Sequence, residues 1–230
     1  MSGSLSVVRV HWPKAFRTIR SIHPPIDLFE DIADPRDWDA LASAESKTNP
    51  RIWDHIGRLD LVPPERRVSG PGASYLMAPF VHISTDRPGR FTNGTYGVYS
   101  AGDREEVAIR EVAHHHATAM MNSDEEPGWT SQFRMLINRI DLDLHDARPH
   151  ERYHDPGNYG ASQTLGQSLR SGGSNGIVYR SVRSPDGECV AIFWPDLMDV
   201  PVQADHFDFH WDGERVDKIR NCRTSVIFAL

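Results

Sequence analysis

The chain has 230 residues, with 25 Lys and Arg against 32 Asp and Glu, and its formal net charge is −7. That balance excludes a polyanion such as DNA as the main partner, because such affinity rests on clustered phosphate neutralisation. It leaves a small anionic ligand open. The length suits one domain over residues 1–230, long enough to bury a substantial core. The longest apolar runs, Val190–Trp194 and Val226–Leu230, are five residues, far below the ~18 that a membrane span needs. The first 25 residues carry Arg9, Lys14, Arg17 and Arg20 and no apolar stretch of the signal-peptide kind. Cys189 and Cys222 form no CxxC and no Cys/His ligand spacing, so neither a disulfide framework nor a zinc site is expected. These features predict a cytoplasmic protein with reduced thiols.

In chain order, the N-terminal third reads as helical and proline-punctuated. Asp34-Pro35 is an N-cap with Pro at the first helical position, followed by Trp38, Leu41 and Ala42 at helical spacing. Asn49-Pro50 repeats the device, with Ile52, Trp53 and Ile56 on one face and Gly57 as the stop. The result is a helical extension over 25–65. Residues 63–74 read as a loop, and Thr95–Ala101 as a strand. Asp103 opens a helix running to about Met121, with Asp103-x-x-Glu106 as a capping box. Met135–Leu144 is a strand and Ser162–Arg170 a short helix stopped by Gly172-Gly173. Gly176–Arg183 and Glu188–Trp194 form a hairpin around Pro185-Asp186-Gly187. His206–Trp211 and Glu214–Ile219 form a second hairpin around Asp212-Gly213, before a terminal strand. Strands and helices mix without βαβ alternation, so the expected class is α+β, a mixed sheet with flanking helices.

Some motifs match by letters only. Gly172-x-Ser174-x-Gly176 fits the serine-hydrolase elbow, yet a helix precedes it and a strand follows, the reverse of what that chemistry needs. Gly70-x-Gly72 lacks the preceding strand and third glycine of a dinucleotide fingerprint. His114-His115-His116 on a helix point ~100° apart and cannot converge on one ion. His206 and His210 on one strand face stand ~13 Å apart, too far to share a metal.

Three features resist such explanations. On the helix from Asp103, Glu106, Arg110 and His114 form a polar stripe, whereas Glu111 falls inward between Val107 and Ala108. A carboxylate there is partnered or functional, because an unpaired buried charge costs several kcal/mol. Arg87-Pro88-Gly89-Arg90-Phe91 offers an arginine in a shaped loop, a natural phosphate clamp, directly before Tyr96 and Tyr99. Ser181 alternates onto one face with Ile177, Tyr179 and Arg183.

Gly89-Arg90-Phe91, Gly97-Val98-Tyr99-Ser100-Ala101, Ala108-Ile109-Arg110-Glu111-Val112 and Gly176-Ile177-Val178-Tyr179-Arg180-Ser181-Val182-Arg183 appear in that order. Together they resemble the RES family over roughly residues 70–200. Asp34-Pro35-Arg36-Asp37-Trp38 and Thr48-Asn49-Pro50-Arg51 resemble the N-terminal segment of its longer members. The resemblance implies a fold like that of ADP-ribosyltransferase toxins. It also implies a toxin that consumes NAD by phosphorolysis or hydrolysis, or that passes ADP-ribose to a protein. By that resemblance Arg90, Tyr99 and Glu111 are catalytic, Ser181 and Arg17 bind substrate, and no metal takes part. Glu111 would stabilise an oxocarbenium-like ribose and hold its 2′-hydroxyl. Arg90, helped by Arg17, would neutralise the pyrophosphate, Tyr99 would stack on nicotinamide or ribose, and Ser181 would hydrogen-bond ribose or phosphate. Thr92 stands where the family carries asparagine. The implied partner is an antitoxin with a helix-turn-helix domain. Homodimerisation is compatible with the resemblance, with no residue marking its surface. A binding module that kept the fold without catalysis is the competing class.

Overall fold

The first element is a strand, where the sequence reading expects helix. Val7–Arg20 forms β1, 14 residues long. Its apolar residues are interleaved with Arg9, His11, Lys14 and Arg17, and its register against the sheet slips between Trp12 and Ala15. Pro13 sits in that slip, where the missing N–H costs no ladder bond. The computed structural model describes residues 5–22, 34–49 and 51–229.

Helical structure starts where expected. The Asp34 carboxylate accepts the Arg36 N–H at 2.9 Å, and a 3-10 turn over Pro35–Asp37 leads into α1, Trp38–Glu45. Helix α2, Ile52–Ile56, stops at Gly57, where φ is 73° and a Cβ would lie 2.6 Å from the Val81 carbonyl. Among the described residues the expected extension over 25–65 is therefore helical in short pieces, which also include 3-10 turns at Leu59–Leu61 and Pro64–Arg66. Residues 25–33, Pro50 and the Trp53 side chain lie outside the described residues. Helix α3, Ala73–Val81, begins at the end of the predicted loop. Strand β2 is limited to Tyr99–Gly102.

Helix α4, Glu105–Met121, ends where predicted but is not capped as predicted. Asp103 Oδ1 instead accepts the Glu188 N–H at 3.1 Å, tying the helix entrance to the sheet. The remaining elements are β3 (Thr130–Asp146), α5 (Gly160–Ser171), β4 (Gly176–Arg180), β5 (Glu188–Ile192), β6 (Val202–Trp211), β7 (Val216–Asn221) and β8 (Ile227–Ala229). The β4–β5 and β6–β7 hairpins follow the predicted turns, with Asp186 at φ 57° and Gly213 at φ 107°.

The expected α+β class holds: the eight strands form one mixed sheet in the order β1-β2-β5-β4-β3-β6-β7-β8, with helices against it. Strand β1 also pairs antiparallel with β3 from Val7↔His145 to Arg20↔Phe133. Strands β1, β2, β5, β4 and β3 therefore close into a ring, and β6–β8 extend from the first half of β3. Strands β3 and β4 run parallel and the other pairs antiparallel. Strands β4 and β5 are buried on both faces. Val178, Val190 and Ile192 pack with Leu76 and Phe80 of α3, while Ile177, Tyr179 and Cys189 pack with Phe91 and Tyr96. Such two-sided burial holds the end of β4 rigidly, and the site is built there.

Helix α4 lays Ala108, Ile109 and Ala113 on Phe133, Phe207 and Phe209. His116, on the same side, has its ring 5.0 Å from that of Phe133 and 6.4 Å from that of Phe209. Its Nε2 has no hydrogen-bond partner among the described residues. Burial, with a smaller push from the Arg20 charge, lowers its pKa to about 4. The unfolded chain takes up this proton first, so stability falls as the pH drops from about 6.5 toward 4. His116→Leu is expected to flatten that part of a urea-stability profile. An unchanged slope would assign the proton uptake to another group.

Candidate active site

The loop that carries Arg90 is shaped by short contacts. The Gly89 N–H donates to the Thr92 carbonyl at 2.9 Å. Thr92 Oγ1 donates to the Tyr96 carbonyl at 2.5 Å and accepts the Gly94 N–H at 3.1 Å. Thr92 thus closes the turn itself. The loop is clamped from outside by Gln163, which donates to the Gly89 carbonyl. Gly166 lets α5 approach so closely that a Cβ there would lie 2.2 Å from the Phe91 carbonyl.

Arg90 is 9% exposed. Its Nη1 donates to the carbonyls of Tyr153 (3.1 Å) and Asp155 (2.8 Å), and its guanidinium lies 4.5 Å above the Tyr159 ring. Its Nε and Nη2 make no hydrogen bond among the described residues. The loop borders a cavity of about 510 Å³ whose walls include Arg17, Arg87, Arg90, Ser84, Ser100 and Tyr179 and contain no Asp or Glu. Three guanidinium groups without a carboxylate suit an anion of the pyrophosphate kind.

Arg17 reaches this cavity from β1. Its Nη1 donates to the Ser100 carbonyl at 2.9 Å, and burial holds its pKa below the usual arginine value. Its guanidinium lies 4.9 Å from the centre of the Tyr99 ring. Tyr99 itself is wholly buried, its hydroxyl donates to Asn138 Oδ1 at 3.2 Å, and burial pushes its pKa up to about 12. This corrects the expected stacking role, since the ring offers no open face to a heterocycle. The ring is packed against the Arg17 guanidinium instead.

Ser181 and Glu111 are brought together. Strand β4 ends at Arg180, so Ser181 stands just beyond the strand on which the alternation placed it. Its backbone N–H donates to the Gly187 carbonyl. Its hydroxyl accepts the N–H groups of Arg183 (3.1 Å) and Ser184 (3.0 Å) and donates to Glu111 Oε1 at 2.6 Å. These three bonds use the hydroxyl's one donor and both of its lone pairs. Glu111 is half-buried, and its second oxygen makes no hydrogen bond among the described residues.

Arg90 and Glu111 do not touch, and Tyr179 stands in the neighbourhood of both. Tyr179 meets Phe91 edge-on at 4.8 Å and forms part of the cavity wall. Burial pushes its phenol well above the usual range; the Glu111 charge adds to that and the Arg90 charge opposes it. Buried Cys189 responds to the same two charges. Tyr179, the paired carbonyls of Tyr153 and Asp155, and Arg183 were not singled out for the site by sequence reasoning. Arg183 Nη2 bridges the Pro156 carbonyl (2.7 Å) and His114 Nε2 (2.9 Å), fastening the Ser181 turn to α4.

Ser174 Oγ accepts the Gly176 N–H and lies 2.9 Å from His145 Nδ1; no carboxylate bonds to that histidine among the described residues. His210 bonds to Asp217 at 2.6 Å, and no group of three potential metal ligands occurs among the described residues. No described helix is long and apolar enough to cross a membrane.

The RES domain family model matches residues 64–212. The chain is 23% identical over 206 residues to protein y4oC of Sinorhizobium fredii (strain NBRC 101917 / NGR234), covering 87% of this chain and 84% of that one. Among solved structures, it is similar to a chain of the MbcT–MbcA toxin–antitoxin complex of M. tuberculosis. That match has 10% identity, a TM-score of 0.44 and 86% coverage of each chain.

Proposed function

The chain belongs to the RES domain family, and from that premise we propose that it is a toxin of a toxin–antitoxin pair that cleaves the nicotinamide–ribose bond of NAD. The observation that carries the reading is the cavity walled by Arg17, Arg87 and Arg90 without a carboxylate, close to a Glu111 carboxylate held by Ser181. A dinucleotide needs both charge environments: cations for its pyrophosphate and one anion where positive charge develops on the ribose.

In this mechanism the C1′–N bond breaks and its electron pair leaves with nicotinamide. The ribose carbon becomes oxocarbenium-like, and the Glu111 carboxylate stabilises it electrostatically. An oxygen of phosphate or water then forms the new bond to C1′, and attacking water releases its proton to the solvent. Ser181 keeps Glu111 Oε1 oriented, leaving Oε2 for the ribose 2′-hydroxyl. Arg90 offers Nε and Nη2 to the pyrophosphate, and Arg17 assists from β1. NAD is the substrate, and the residues supply the chemistry without a metal.

Transfer of ADP-ribose to a protein uses the same site and differs only in the nucleophile. A non-catalytic module is disfavoured because Arg90 is present on the cavity wall and Glu111 and Ser181 are present as a hydrogen-bonded pair. An unrestrained NAD-consuming enzyme harms its own cell, which argues for an antitoxin partner that covers the cavity in the cytoplasm. The family resemblance makes a helix-turn-helix protein the expected form of that partner.

The test resolves the acceptor. Purified protein is incubated with NAD, with and without phosphate and with and without cell lysate, and the products are read by phosphorus NMR. ADP-ribose-1″-phosphate formed only with phosphate is the expected result. ADP-ribose alone would establish hydrolysis, and label on lysate protein would establish transfer. Intact NAD under every condition would overturn the proposal.

A further inference from the structure

The Arg90 seat and the Ser181–Glu111 pair are joined by one side chain that neither contains. His154 is 8% exposed and lies between the two residues whose carbonyls take Arg90, Tyr153 and Asp155. Its Nδ1 is 3.0 Å from the His150 carbonyl, an acceptor only, so Nδ1 carries the proton. That leaves the lone pair of Nε2 to accept the Arg180 N–H, at 3.1 Å. Arg180 ends β4, and the next residue is Ser181, whose hydroxyl holds Glu111. Ser162 Oγ adds a bond to the Tyr153 carbonyl at 3.0 Å, pinning the same turn to α5.

We propose that His154 is a positioning residue that, as the neutral Nδ1–H ring, locks the Arg90 seat to the end of β4 and so fixes the spacing between phosphate clamp and catalytic carboxylate. The proposal rests on the NAD-cleaving reading given above. A proton on Nε2 would set two N–H groups against each other and place a cation between Arg90 and Arg180. Burial holds the ring below the usual histidine range. The Arg180 and Arg90 charges push the same way, and Glu151 and the bond to the His150 carbonyl oppose them. Glu151 is itself engaged by the Arg180 guanidinium at 2.5 Å. Acid therefore opens the lock only below the usual histidine range.

Three variants and one spectrum test this. His154→Gln keeps an acceptor near the Nε2 position and cannot titrate. It is expected to retain most of kcat/KM at neutral pH and to lose one ionisation from the acid limb of the pH–rate profile. His154→Leu removes the acceptor and is expected to lower kcat/KM about 10–100-fold, the scale of a misplacement near 1 Å. His154→Phe at comparable folding should match the leucine variant, not the glutamine one. A role in folding alone would move thermal stability in all three variants and leave the acid limb unchanged, and that result would overturn the proposal. Nitrogen NMR of the free wild-type protein supplies the readout without substrate. An unprotonated Nε2, coupled through the hydrogen bond to the Arg180 amide, is expected. A protonated Nε2 at neutral pH would overturn the lock. The coupling together with no cleavage of NAD by the wild type would overturn the functional reading and keep the lock.

Discussion

Glu111→Gln is expected to lower the rate of nicotinamide release about 10²–10⁴-fold while leaving the fold intact. The substitution is nearly isosteric and keeps an oxygen for the Ser181 hydroxyl, which lies 2.6 Å from Oε1 in the native pair. Glu111 is half-buried at the surface of α4 that faces the β4 end, so its removal opens no cavity. What disappears is the negative charge, and the loss falls on kcat because positive charge develops on the ribose only as the bond breaks. Thermal unfolding of the variant checks the fold, and steady-state kinetics check the rate. Ser181→Ala should have a smaller effect, roughly tenfold, because it frees the carboxylate to rotate without discharging it. Wild-type turnover in the glutamine variant would remove Glu111 from the mechanism.

Arg90→Lys is expected to separate binding from chemistry in the opposite sense. The native guanidinium spends Nη1 on the Tyr153 and Asp155 carbonyls and rests 4.5 Å above the Tyr159 ring. Nε and Nη2 remain for the ligand. An ammonium can serve the carbonyls or a phosphate but cannot do both in a fixed plane. The KM for NAD should rise about 10–100-fold with kcat changed far less, the loss of one charge-assisted contact or two. Arg90→Ala carries a further cost of about 2–4 kcal/mol in stability, because two carbonyls lose their donor and Tyr159 its cation. A lysine variant with native KM would mean that the pyrophosphate lies elsewhere in the cavity.

The parts of the site legible in the sequence are those that depend on local spacing. The 3.6-residue period of α4 turned Glu111 inward, and the turn chemistry of Pro185-Asp186-Gly187 marked the hairpin beside Ser181, although β4 ends at Arg180, short of where the alternation placed that serine. Asp34 and Gly57 bounded helices through capping and positive φ, which are properties of single residues. What escaped depends on distant partners. Strand β1 was hidden because cations and Pro13 break its alternation, and its stability comes from pairing along β3, more than a hundred residues away. Arg17 could be named from the resemblance, but only closure of the ring shows that it covers Tyr99 and reaches the cavity from outside the family-matched region. Asp103 looked like an N-cap and serves Glu188 instead, a tertiary bond winning over a local one. The carbonyls that seat Arg90 carry no side-chain signature, so no pattern of residue types could have announced them.

The cavity also sharpens the meaning of the overall charge. A net −7 coexists with a cavity lined by three arginines and no acid. An anion entering the cavity therefore meets a local field opposite in sign to that of the whole molecule.

The most direct test of the central claim is the time course of free nicotinamide, followed by proton NMR, when purified protein meets NAD in phosphate buffer. Nicotinamide accumulating with the wild type and at least a hundredfold more slowly with Glu111→Gln is the predicted result. Equal release by both proteins, or none from the wild type with phosphate, water or lysate protein as acceptor, would contradict it.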